Sequence, residues 1–120
     1  VTASRSTNPP LLMVGYNRRF APHVRTIAGL LPTVTEPKSF VMTVNAGALP
    51  ADHWSHHPQQ GGGRIIGEGC HFIDLLRHLA GAPITQVQAT LFGGRTPGLI
   101  CDDKLTCTLQ FADGSFGVVN

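Results

Sequence analysis

Between Arg64 and His78 the chain concentrates the side chains best suited to chemistry: Arg64, Glu68, His71, Asp74 and His78. An imidazole takes up and returns a proton near neutral pH, which makes His71 the candidate acid–base group. Glu68 lies three residues before it and Arg64 seven. At helical spacing, one face then offers a carboxylate to orient the imidazole and a planar guanidinium to grip an oxygen-rich ligand. The plainer reading is a solvated helix surface with an Arg64–Glu68 ion pair worth a few tenths of a kcal/mol. Asp74 reads as a local partner for Arg77 or His78. A second cluster, His53, Trp54, His56 and His57, precedes the glycine triplet Gly61 to Gly63 in a stretch without periodicity. Irregular stretches of this length in a small domain tend to carry function. Three of these residues are imidazoles, so a zinc site is one alternative, although adjacent histidines alone do not define its geometry. Neither a GxSxG nucleophile turn nor a GxGxxG phosphate turn is present.

The element that must position the first group is a helix over Gly61 to Gly81. Ile65, Gly69, Phe72, Ile73, Leu76 and Ala80 recur at the i, i+3, i+4, i+7 spacing of a buried face. Arg64, Glu68, His71 and His78 fall opposite, with Asp74 beside them. Gly81 suits a left-handed C-terminal cap, and Pro83 follows. Gly67 and Gly69 inside the pattern each cost about 1 kcal/mol relative to alanine, which implies close packing or space for a ligand.

Around this helix the pattern predicts an α+β fold, an open, mainly antiparallel sheet with one long helix packed across a face. Leu11 to Tyr16 is a continuous apolar run of the kind found in buried strands. A helix starts at Pro22, carries Val24, Ile27, Ala28 and Leu31 on one side and stops at Pro32. Ser39 to Ala46, Gln86 to Phe92 and Leu105 to Phe111 alternate as strands, Gly93 to Gly98 is a loop, and Ala112-Asp113-Gly114 is a hairpin turn leading to a last strand. The second sheet face is weakly polar around Val41 and Thr43, so it is expected to be the contact of a homo-oligomer.

With 120 residues, a net charge of +2 and 13% charged residues, the chain is one domain without the basic surface of a nucleic-acid binder. Its apolar runs are too short to span a membrane and no signal peptide is visible, which points to the cytoplasm. Cys70, Cys101 and Cys107 lack metal-site spacing and read as reduced, buried thiols. The polar leader and an end at Asn120 within a strand pattern suggest a piece of a longer chain.

The order VGYNRRFAPH at Val14 to His23, a strand, a tryptophan loop, then GGGRIIGEGCHFIDLLRHLAG resembles the glucose-fructose oxidoreductase, inositol dehydrogenase and rhizopine-catabolism (Gfo/Idh/MocA) family. Its most specific part is the triple glycine with His71 and Asp74. The resemblance implies the C-terminal domain of a Rossmann-containing oxidoreductase. Residues 1–10 would be a disordered leader, 11–37 the junction strand and helix from the end of the cofactor domain, and 38–120 the substrate-binding and oligomerisation domain. It implies that the parent uses NAD or NADP to oxidise a sugar, polyol or related hydroxyl compound. His71 and Glu68 would be catalytic, and Arg64, Trp54, His53, His57 and Arg19 would bind substrate. No cofactor-binding or metal-binding residue is assigned. The dinucleotide fingerprint and the family's Glu-Lys-Pro motif are missing, so this chain alone is expected to be inactive. Where many members carry an aspartate four residues before the histidine, this chain has Gly67 with Glu68 beside it. That departure leaves open a non-catalytic binding or oligomerisation module of the same fold.

Overall fold

A computed structural model of the chain describes residues 10–57, 59–91 and 104–120. Its elements run α1 (Pro22–Leu30), β1 (Ser39–Met42), α2 (Cys70–Ala80), β2 (Ile84–Leu91), β3 (Leu105–Phe111) and β4 (Phe116–Val119). The sheet order is β1-β4-β3-β2, with β1 parallel to β4 and the other two pairs antiparallel. The architecture is therefore α+β with an open, mainly antiparallel sheet, as the alternation predicts.

The helix crosses that sheet through a small, closed contact. Phe72, Leu76 and Ala80 of α2 meet Cys107, Leu109 and Phe111 of β3 and Val119 of β4, with Phe40, Met42 and Ile73 packed around them. Leu76 is 1% exposed and Leu109 fully buried. Gly117 sits where α2 passes closest, since a Cβ there would lie 2.8 Å from Leu76 Cδ1. Burial holds the Cys107 thiol above its ordinary pKa, which disfavours the reactive thiolate. Gly81 ends the helix in the left-handed region at φ 72°, and its N–H donates to the Arg77 carbonyl.

The turn between β3 and β4 also fixes β1. Ser115, 1% exposed, donates through its N–H and Oγ to the two Asp113 carboxylate oxygens at 3.0 and 2.9 Å. Its Oγ also accepts the Lys38 N–H at 2.8 Å, which seats the start of β1 beside β4. These hydrogen bonds from Ser115, with the nearby Lys38 charge, hold the Asp113 carboxyl below its usual range.

Three expectations change. Leu11 to Tyr16 is not a strand: it has no ladder partner among the described residues, and Leu11 to Val14 are exposed. Residues 39–46 pair as a strand only to Met42, although Val44 N–H still donates to the Asn120 carbonyl. The helix begins at Pro22 as expected, yet α1 has no buried residue and its Ile27 and Leu30 face solvent. Phe92, Cys101, the Gly93 to Gly98 loop and the leader up to residue 9 lie outside the described residues.

Candidate functional site

The approach to α2 is built by the glycine triplet. His53 Nδ1 accepts from the Ser55 N–H and contacts Ser55 Oγ at 2.7 Å, capping a short 3₁₀ turn at Trp54–His56. The Gly61 and Gly62 N–H groups donate to the His57 carbonyl, and the Gly63 N–H to that of Ser55. A Cβ on Gly61 would lie 2.3 Å from the Ser55 backbone, so the loop closes only because that position is glycine. With its amides used inside the loop, the triplet does not form a cradle for a dinucleotide pyrophosphate.

From Ile65–Gly69 the helix is a π turn, which carries an extra residue per turn, and it continues directly as α2. The space over Gly67 is open, and Gly69 lines a cavity of about 800 Å³ between the helix, the sheet and the loop after β1. The polar groups of this cavity are Asn45, His56, Arg64, Glu68, Lys104 and Asn120, set among apolar side chains from β2 and β3. Arg64, read from the sequence as part of an exposed face, is in fact only 9% exposed. Its Nη1 donates to the Gly47 carbonyl at 2.6 Å and its Nη2 pairs with Glu68 Oε2 at 3.3 Å. Both ring nitrogens of His56 are buried without a hydrogen-bond partner.

His71 and Asp74 face away from this cavity, toward the segment before α1. The Tyr16 ring stands edge-on to His71, with centroids 5.7 Å apart and planes at 83°. Arg18 lies 4.4 Å above the Phe72 ring. Arg19 holds Asp74 through both Nε and Nη2, so the expected partners Arg77 and His78 are replaced by a residue far away in sequence. The reason is positional: a 3₁₀ turn at Asn17–Phe20 packs onto α2, while Arg77 and His78 are exposed. His71 Nδ1 is buried and has no hydrogen-bond partner.

The candidate residues thus divide. Arg64 and Glu68 line the cavity; His71 stands under Tyr16; Arg19 is engaged by Asp74. Trp54 is 61% exposed and stacks obliquely on His53, and neither they nor His57 line the cavity. Among the described residues no three His, Cys, Asp or Glu side chains converge as metal ligands. Sequence reasoning missed Tyr16, Asn45, Lys104 and Asn120. Only Tyr16 carried a signal, as an aromatic three residues before Arg19.

A four-stranded open sheet is crossed by a helix that follows the glycine triplet and carries His71 and Asp74. The chain belongs to the Gfo/Idh/MocA family, matching the model of its C-terminal domain over residues 33–120. Among solved structures it is similar to aldose-aldose oxidoreductase from Caulobacter crescentus complexed with glycerol, at 20% identity and TM-score 0.76, covering 90% of this chain and 34% of that one. Levoglucosan dehydrogenase in complex with NADH and levoglucosan shares 24% identity at TM-score 0.68, covering 89% and 32%. The NAD binding oxidoreductase from Klebsiella pneumoniae shares 23% identity at TM-score 0.65, covering 88% and 32%. The chain therefore spans about a third of the length of these structures. No curated protein matches it. Among the described residues no helix is long and apolar enough to cross a membrane.

Proposed function

We propose that this chain is the substrate-binding part of an NAD- or NADP-dependent oxidoreductase that acts on a hydroxyl group of a sugar, polyol or related compound. The observation that carries the reading is the placement of His71, whose ring packs edge-on against Tyr16 with Nδ1 buried and without a hydrogen-bond partner; this imidazole would accept the hydroxyl proton. Arg64 and Glu68 line the cavity on the other side of the helix start, where the rest of such a molecule would hydrogen-bond if it reached across the start of α2, and His53, Trp54 and His57 adjoin the lining residue His56. The nicotinamide, which supplies the hydride acceptor, would be held by residues outside this chain. Bound glycerol and levoglucosan in the similar structures support a hydroxylated small molecule as substrate. The open sheet face, with Val41 and Phe116 exposed among threonines and glutamines, supports a homo-oligomer, and the free thiols of Cys70 and Cys107 support a cytoplasmic setting.

The test is turnover by the parent enzyme with polyols and sugars. His71→Ala should lower kcat by about 10²–10⁴-fold, the usual worth of a general acid–base group, with unchanged melting. Unchanged turnover removes His71 from the reaction and leaves a binding or oligomerisation module.

A further inference from the structure

The segment Tyr16 to Arg19 meets α2 with matched spacing. Tyr16 directly precedes the 3₁₀ turn Asn17–Phe20, three residues before Arg19. On an α-helix, i and i+3 are neighbours, so His71 and Asp74 share a face. The two pairs interlock: the Tyr16 ring on His71, and the Arg19 guanidinium on Asp74. Arg18 fills the space between them by lying over Phe72. The Asp74 side chain is only 9% exposed, so its charge depends on this one guanidinium. Nothing else described holds His71, because Glu68 is turned to Arg64 and Nδ1 has no hydrogen bond.

From this geometry we infer that Tyr16, Arg19 and Asp74 are positioning residues, a clamp that fixes the His71 ring with Nδ1 enclosed. The inference rests on His71 as the acid–base group for its meaning, but not for its test. Arg19 sets the depth at which the turn sits on α2, and Tyr16 converts that depth into ring orientation. Without the ion pair, the turn lifts and the enclosed Nδ1 reaches solvent.

The experiment is histidine modification of the full chain by diethyl pyrocarbonate, followed by peptide mass spectrometry. His78, exposed on the same helix, is the internal standard. Arg19→Gln should raise the His71:His78 reactivity ratio about fivefold, the change expected when a contact of salt-bridge strength is lost. Arg19→Lys should recover part of the protection, because lysine keeps the charge without the two-pronged geometry. Tyr16→Ala should raise the ratio with the ion pair intact, which guards against a variant that fails to fold. A ratio unchanged in both Arg19→Gln and Tyr16→Ala overturns the clamp, whatever His71→Ala does to turnover. A parallel rise at His71 and His78 also overturns it, since that marks general loosening.

Discussion

Shortening Leu76 to alanine tests the helix–sheet contact on which every placement above depends. Leu→Ala at a buried site costs about 2–5 kcal/mol, according to how far the surroundings collapse into the space. Here collapse is poor. Leu76 is 1% exposed, and the surface opposite is the backbone of β4 at Gly117, held in a ladder on both sides and flanked by Phe111. The expected loss is therefore in the upper half of that range, about 3–5 kcal/mol. The reverse change, Gly117→Ala, places a methyl group 2.8 Å from Leu76 Cδ1, and that side chain is too enclosed to swing aside. It should cost about 1–3 kcal/mol by overpacking. Combined, the two changes relieve each other, since the new methyl enters the space the leucine leaves. Gly117→Ala in the Leu76→Ala background should be neutral or stabilising, a coupling of about 1–3 kcal/mol. Urea unfolding of the four chains measures the cycle. Strict additivity, or a Leu76→Ala loss below 1 kcal/mol, would refute the contact as described.

Three further outcomes follow from single positions. Asp113 has a folded-state pKa below its unfolded value, so its contribution is full above the ordinary carboxylate pKa of about 4 and is lost as pH falls from there through the lower folded-state pKa. Asp113→Asn should flatten that acid limb in urea titrations, and an unaltered limb would remove the Ser115 hydrogen bonds as its cause. Gly67→Ala should stabilise by about 0.4–1 kcal/mol, because the added Cβ meets nothing within 4 Å. A loss of stability would mean that the π turn needs glycine there. Val41, 72% exposed on the open sheet face at the edge strand β1, should be part of the oligomer contact. Sedimentation should show association in the native chain and its weakening in Val41→Lys, whereas a native chain that stays monomeric at all concentrations rules out this interface.

Periodicity made the sheet and the helix legible. The alternation of Leu105, Cys107, Leu109 and Phe111 is local information, and the structure buries Cys107, Leu109 and Phe111. The run Leu11 to Tyr16 misled because an apolar composition specifies a strand only when a partner strand lies alongside, and this run pairs with none of the described residues. Asp74 was legible as an ion-pair member but not its partner, since Arg19 is 55 residues away and reaches it through tertiary packing. The cavity was least legible. Asn45, Lys104 and Asn120 come from separate strand ends, and nothing in their own neighbourhoods marks them as meeting.

The separation of Glu68 from His71 has a different origin, a change of helical period within one element. In an uninterrupted α-helix, residues three apart share a face, and that spacing makes Glu68 the orienting carboxylate for His71. The π turn at Ile65–Gly69 inserts an extra residue just before α2, so residues on its two sides no longer share one stripe. Arg64 and Glu68 turn toward the cavity, while His71 and Asp74 turn toward the clamp. Gly67 and Gly69 lie within this turn, where weak helix formers make departure from α geometry less costly. A π turn at this point lets one helix serve two surfaces, the cavity on one side and the Tyr16–Arg19 turn on the other. On the proposed function a substrate would lie across the start of α2, and the Glu68 carboxylate would act on it through Arg64 rather than through His71.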